Sequence, residues 1–396
     1  MMMGVPGKNL KNFKINSMDD CCNKGLNPAL AFFILLFALS SCRNPADSKS
    51  IGSQNDAAEA SVEFSQDSLD VLEADLLANK YTNTHALLIW HDGKRVYENY
   101  FTGTDSRWGD DLGKRPMGPD SLHDLRSVSK SITSLLLGIA LADSLQEKVE
   151  RSMISYFPGY NLEEEKSAIT LHHMLTMTPG LAWNEMDVPY TDETNDEIRT
   201  YDARDPAKYV LERPLVHTPG SIWYYNGGTT QVLSSMIYNL TGKPVDKYAE
   251  EKLFEPLGIT RYEWIGPGTW IHDQPAAMSG LRMTARDLEK VGILFIHKGM
   301  FEGSRIIPEK WVDLSSERFV KETARWSEDG RWGYGYQWWI GTLPNGPKVI
   351  AGVGNGNQRL FIVPDAKLVV TIFAGEYNIG GGHSNRLMYR IFGMME

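Results

Sequence analysis

Apolar residues fall along this chain in patterns that change from region to region, and each pattern predicts a different element. Leu69, Leu72 and Leu76 keep a helical spacing that predicts a helix near the start of the folded region. Residues 85–101 form a strand pair folded at Asp92-Gly93, a dipeptide suited to a tight hairpin turn. Residues 131–142 are too apolar and too free of breakers to be a loop, and predict a helix. Late in the chain, 333–341, 358–364 and 368–374 read as strands, the second alternating poorly but apolar enough to be buried. Gly380-Gly381-Gly382 then leads into a terminal helix around 385–392. The intervening stretch, roughly 145–275, is mostly helical in pattern. Strands at both ends without regular strand-helix alternation predict an α+β fold: an antiparallel sheet built from both chain ends, flanked by helices, with an inserted helical region. The sequence holds no internal repeat.

The first sixty residues follow a different logic. Residues 29–39 are an apolar run of 11, short of the roughly 20 needed to span a bilayer but suited to a signal-peptide core, with Lys8, Lys11, Lys14 and Lys24 in front of it. Leu39-Ser40-Ser41-Cys42 resembles a bacterial lipoprotein processing site, which implies lipid on Cys42. The polar residues 43–59 read as a flexible tether. The expected organisation is therefore a signal peptide over 1–41, a lipidated cysteine and tether over 42–59, and one folded domain over 60–396. The expected address is the cell envelope, facing periplasm or exterior and held to a membrane by the anchor, or the secreted fraction if Cys42 carries no lipid. All three cysteines, Cys21, Cys22 and Cys42, precede the folded region, so no disulfide framework is expected there. A net charge of -10, without clustered Lys and Arg, argues against a nucleic-acid partner.

The candidate chemistry begins at Ser127-Val128-Ser129-Lys130, the only S-x-x-K in the chain, at the start of the helix over 131–142. Residues three apart on a helix share a face, so Ser127 and Lys130 point the same way, and the helix start offers unpaired N–H groups to an oxyanion. On its own the motif is also what an N-cap serine and a solvated first-turn lysine produce. Tyr224-Tyr225-Asn226 is one of three Y-x-N patterns, with Tyr81/Asn83 and Tyr97/Asn99, and the only one that follows the serine and lies in a turn. A phenol at Tyr224 is placed to relay a proton between Ser127 and a leaving group. The third motif is Gly352-Val353-Gly354-Asn355-Gly356-Asn357-Gln358. A strand follows these glycines where a dinucleotide fingerprint requires a helix, so they read as a strand edge that a substrate carbonyl approaches closely.

Together these motifs resemble the serine β-lactamase and penicillin-binding-protein superfamily, in the branch of class C β-lactamases, carboxylesterases and 6-aminohexanoate-dimer hydrolases. The likeness runs from about residue 57 to the C-terminus and includes Met174-Leu175-Thr176-Met177-Thr178-Pro179-Gly180-Leu181, Leu253-Phe254-Glu255-Pro256-Leu257-Gly258 and Tyr334-Gly335-Tyr336-Gln337-Trp338-Trp339. The resemblance implies Ser127 as acylated nucleophile, Lys130 as its base, Tyr224 as second proton carrier, and Asn226 as the group that orients Lys130 and substrate. It also implies substrate contact at Gly352, Gly354 and Asn355, the last through its backbone N–H. Where relatives carry a lysine or histidine, this chain reads Gly352, so the expected substrate is a small ester or linear amide with little dependence on a carboxylate. A β-lactamase or D-alanyl-D-alanine carboxypeptidase is the alternative, and a non-turnover binder of cell-envelope ligands is the rival of another class. Arg359, on the adjoining strand, is the residue best placed to restore a cation.

No cofactor is expected. His172 and His173 are adjacent and face opposite ways, and neither H-E-x-x-H nor paired CxxC occurs, so spacing indicates no metal set. Trp183, Trp223, Trp332, Trp338 and Trp339 are candidates for the walls of an apolar cleft, and Tyr190 for a donor overhanging it.

Overall fold

Seven strands form one antiparallel sheet in the order Trp332–Tyr334, Trp339–Thr342, Lys348–Gly354, Gln358–Val363, Leu368–Ala374, Thr84–His91, Lys94–Tyr100. The N-terminal and C-terminal strands meet within it, where Leu87 pairs with Ile372 and Ile89 with Val370. The computed structural model describes residues 63–142, 145–321, 323, 331–343, 346–379 and 382–395. The expected leader, Cys42, the tether and Gly380-Gly381 lie outside the described residues.

Side chains alternate across the sheet, and both faces are covered. Leu87, Ile89, Val370 and Ile372 pack under the helices Gln66–Leu77 and His383–Gly393, joined by Leu69, Leu72, Leu76, Leu387 and Ile391. Leu88, Trp90, Leu360 and Ile362 turn the other way, toward helices Val128–Leu141 and Ala285–Ile296. Burial on both faces explains the poor alternation at Gln358–Val363, all six of whose residues are buried. Each fully buried leucine contributes about 1.5–3 kcal/mol of transfer free energy.

The hairpin turn lies at Asp92-Gly93, with φ of 42° and 89°, the left-handed pair such a turn requires. The single strand expected over 333–341 is instead two short strands joined by a reversal. Gly335 N–H donates to Trp338 O at 2.8 Å, and a Cβ at Gly335 would sit 2.7 Å from two backbone oxygens, so only glycine fits. The Gly103–Arg107 and Asp110–Arg115 hairpin was not legible, because its polar sequence carries no period-2 signal.

The helical region packs Gly227–Thr241 against Val128–Leu141. Asn226 caps the former by accepting from Thr229 N–H at 3.1 Å. A Cβ at Gly228 would strike Trp183 at 2.5 Å, so the paired glycines let that helix start approach its neighbours.

Candidate active site

Ser127 stands at the N-cap of helix Val128–Leu141, and Arg126 before it turns the chain with φ 49°. That turn is pinned by Arg126 Nη2 to Asp124 Oδ2 at 3.1 Å and by its guanidinium over the Tyr377 ring. Ser127 makes no side-chain cap bond, so its hydroxyl is not spent on the helix. Lys130 is buried one turn on, and its Nζ donates to Ser127 Oγ at 3.1 Å and to Met278 O at 2.8 Å. The pair expected from spacing is thus assembled, with a backbone carbonyl from a distant segment fixing the ammonium.

The tyrosine facing this pair is Tyr225, not Tyr224. Tyr225 is buried, lines the cleft beside Ser127 and hydrogen-bonds it, and Lys130 Nζ lies 5.2 Å from its ring centroid. Tyr224 points the other way, donating to Asp187 Oδ2 at 2.8 Å and lining a separate cavity with Asn226. Neighbours in an extended segment face opposite sides, so one tyrosine of the two reaches Ser127. Its parity is set by Tyr224 N–H donating to Met177 O. Burial, with the Glu185 and Glu197 charges, holds the Tyr225 phenol well above its usual range, the Ser127 bond acting in the opposite sense. Tyr225 is therefore held as a neutral phenol.

Asn226 is likewise placed differently from the expectation. Its Oδ1 caps the helix, and the side chains beside Lys130 are two carboxylates, Glu185 and Glu197. A Cβ at Gly227 would meet Glu197 Oε2 at 2.7 Å, Glu185 Oε2 at 3.2 Å and Lys130 Nζ at 3.3 Å, so the missing side chain makes room for both acids. Glu185 accepts from Gly227 N–H at 2.6 Å, Trp183 Nε1–H at 2.8 Å and the Tyr190 hydroxyl at 2.9 Å. Glu197 Oε2 has no hydrogen-bond donor and lies 3.8 Å from Lys130 Nζ. Burial pushes the Glu197 carboxyl up to about 8, with Lys130 opposing and Glu185 adding to the rise. Nothing in the local sequence marks either acid, since tertiary packing brings both to the lysine.

The third motif forms the opposite wall. Gly354 ends its strand so close to the chain feeding Ser127 that a Cβ would lie 2.3 Å from Leu125 O. Gly352 faces away from the cleft: a Cβ there would meet Val128 at 3.0 Å, and Val353 is the strand residue that lines the cleft. Asn355 lines it too, with its amide paired to Asn378. Arg359 also lines the cleft, with Nη1 donating to Gly354 O at 3.0 Å and Gln358 O at 2.9 Å; burial lowers its guanidinium to about 10.

The space so enclosed is about 800 Å³, part of it open to solvent, with Met186, Tyr190, Trp339 and Ile379 as its larger apolar walls. Of the five tryptophans, Trp339 alone lines this cleft; Trp183 and Trp338 are core. Tyr190 overhangs as expected, but its hydroxyl is committed to Glu185.

The sequence model of the Beta-lactamase family matches residues 69–381. The 6-aminohexanoate-dimer hydrolase of Paenarthrobacter ureafaciens is 25% identical over 310 residues, 73% of this chain and 72% of that protein. Esterase EstB of Burkholderia gladioli is 27% identical over 156 residues, 37% of this chain and 39% of that protein. Among solved structures, an octameric penicillin-binding protein homologue from Pyrococcus abyssi shares the fold at TM-score 0.63 and 18% identity, covering 82% of this chain and 77% of that one. The chain belongs to the beta-lactamase family and is a serine hydrolase.

Proposed function

We propose that this protein hydrolyses small esters or linear amides through an acyl-enzyme on Ser127. The contact that carries the reading is Lys130 Nζ at 3.1 Å from Ser127 Oγ, inside a cleft that Tyr225 also lines. Relatives named as an esterase and as a dimer hydrolase support the substrate class. Ser127 Oγ attacks the carbonyl carbon as its proton passes to Lys130. The oxyanion is held by backbone N–H groups at the helix start and the glycine wall. Tyr225 protonates the departing alcohol or amine and is reprotonated from Lys130. Water then attacks the acyl carbon, the acid leaves, and Ser127 regains a proton.

To accept a proton, Lys130 must first release one, and Glu197 Oε2 is the acceptor beside it. Burial raises the Glu197 carboxyl to about 8, which makes it a stronger proton acceptor than an ordinary carboxylate. Glu197→Gln is expected to lower kcat by about a hundredfold while KM changes little. The substitution also has a stability signature. Glu197 binds its proton more tightly folded than unfolded, so its contribution is full below about pH 4.5 and is lost as pH rises through about 8. The Tm difference between Glu197→Gln and wild type should therefore move in favour of the variant from the acid to the alkaline end of that window. A pH-independent difference together with unchanged kcat would remove Glu197 from the mechanism.

A second reading, hydrolysis of β-lactams or D-alanyl-D-alanine peptides, is favoured by one observation: a buried guanidinium, Arg359, stands among the cleft-lining residues. Its Nη1 is engaged by two carbonyls at the strand end, which suits a strut for the glycine wall better than a free carboxylate receptor. A charge-assisted contact is worth about 1.5–3 kcal/mol, so a functioning carboxylate site would show as at least a tenfold preference. Neutral short-chain aryl esters are expected to have the larger kcat/KM, and an equal or larger value for a cephalosporin would promote the second reading. Intact-protein mass after exposure to a fluorophosphonate, a penicillin and an activated ester reports the modified residue, and a persistent adduct with every substrate would indicate a non-turnover binder.

We also propose that the enzyme is a lipid-anchored envelope protein, on the apolar run 29–39 and the Leu39-Ser40-Ser41-Cys42 site. Labelled fatty acid should appear on the wild type and not on Cys42→Ser; its absence from the wild type would leave simple secretion.

A further inference from the structure

Away from the cleft, the described residues hold a buried cluster of three metal-ligating side chains. His85 comes from strand Thr84–His91, Asp105 from Gly103–Arg107 and His123 from His123–Asp124. Their ligand atoms all lie within 4.8 Å of one another. His85 Nδ1 is 2.8 Å from His123 Nε2, which is 3.4 Å from Asp105 Oδ1.

The surrounding hydrogen bonds fix where the imidazole protons sit. Asn83 is oriented by two bonds with Thr104: Nδ2–H donates to Thr104 O, and Oδ1 accepts from Thr104 N–H, each at 3.0 Å. Asn83 Oδ1 therefore faces His85 Nε2 at 3.1 Å as an acceptor, and Nε2 carries the proton. His123 Nδ1 faces the Asp124 carbonyl at 3.2 Å, so its proton is on Nδ1. The bare nitrogens, His85 Nδ1 and His123 Nε2, then point lone pairs at each other. Neither Asp105 oxygen receives a well-formed hydrogen bond; the Ser106 amide and the Arg115 guanidinium, 3.8 Å away, are nearby positive groups. A proton on Asp105 would satisfy His123 and still leave His85 Nδ1 facing a lone pair.

We propose that His85 Nδ1, His123 Nε2 and Asp105 Oδ1 bind one divalent transition-metal ion of the zinc class. Two imidazoles and a carboxylate are a zinc donor set, and ligand bonds of 2.0–2.2 Å in a tetrahedral site put donor atoms about 3.3 Å apart. The observed 2.8 and 3.4 Å bracket that spacing, and the third edge, within 4.8 Å, closes on an ion bound between the three. The outer N–H groups already donate to Asn83 Oδ1 and Asp124 O, the supporting bonds that metal-bound histidines make. A small cavity lined by His85, Met117, Ser121, His123 and Phe373 adjoins the two histidines. None of the three ligands lines the cleft, so the ion's task is structural. It ties strand Thr84–His91 and the hairpin to the segment that enters Ser127 four residues after His123.

The full chain, stripped with a chelator, is titrated with Zn²⁺ by calorimetry and with Co²⁺ by visible absorption. One equivalent of Zn²⁺ should bind and raise Tm. Co²⁺ should give an intense visible band without the near-ultraviolet thiolate band that Cys21, Cys22 or Cys42 would produce. His123→Gln and Asp105→Asn should each weaken Zn²⁺ binding at least tenfold. If a variant does not fold, imidazole ¹⁵N shifts of the stripped wild type decide: the two neutral tautomers above support the site, and a proton shared between the rings at neutral pH overturns it. Absence of the cobalt band, an unchanged Tm with Zn²⁺, or equal affinity in the folded variants also overturns it. None of these readouts uses catalytic turnover, so the site stands or falls independently of the proposed reaction.

Discussion

Ser127→Ala is expected to reduce ester turnover by roughly 10⁴-fold or more while leaving a folded protein, because removing a nucleophile removes the covalent route altogether. The fold should tolerate the change unusually well. An N-cap serine normally contributes about 0.5–2 kcal/mol through its side-chain bond, but Ser127 makes no such bond, so its replacement should cost less than that range. Lys130 is not orphaned either, since Met278 O at 2.8 Å and the Glu197 carboxylate remain beside it. Turnover and Tm are measured on the same preparation, and the fluorophosphonate adduct should vanish with activity. Wild-type turnover in a pure, folded Ser127→Ala sample would eliminate the acyl-enzyme proposal.

Which parts of this site were legible follows from how far each depends on the rest of the chain. Ser127 and Lys130 are related by one helical turn, so the geometry is contained in four residues, and the apolar run after them guarantees the helix. The central sheet was legible where apolar runs are long, as at Leu368–Ala374, and failed at Gly335–Trp338, where the chain reverses at a glycine whose side-chain space is taken by backbone oxygens of residues 315 and 317. The tyrosine that faces Ser127 was misplaced by one residue because extended-chain parity comes from a bond to Met177, forty-seven positions earlier in the sequence. Gly352 was assigned to the cleft for the same reason: the spacing of the glycines does not say which of them faces the nucleophile helix. Glu197, Met278 and the His85, Asp105 and His123 cluster leave no local trace. Each is assembled from separate elements, and a search for metal ligands close in sequence passes over donors 20 and 18 residues apart.

The sharpest test of the corrected assignment is therefore the pair Tyr225→Phe and Tyr224→Phe, which remove the same hydroxyl from adjacent positions. Tyr225→Phe deletes the neutral phenol that hydrogen-bonds Ser127, and should lower kcat by about 10²–10⁴-fold, the usual value of a positioned proton donor. Tyr224→Phe deletes an exposed bond to Asp187, worth at most about 0.5–1.5 kcal/mol of stability, and should leave kcat within a few-fold of wild type. Leaving-group dependence separates proton donation from simple disruption of the cleft. A nitrophenolate departs without needing a proton, whereas an alkoxide or amine does not, so the Tyr225→Phe deficit should be much larger for an alkyl ester or amide than for a nitrophenyl ester. Combining Tyr225→Phe with Lys130→Met should cost far less than the product of the single losses, because the two groups hand on one proton and act as a unit. If Tyr224→Phe is the crippled variant, or if the Tyr225→Phe deficit does not vary with the leaving group, the proton passes by another route and Tyr225 is a wall of the cleft.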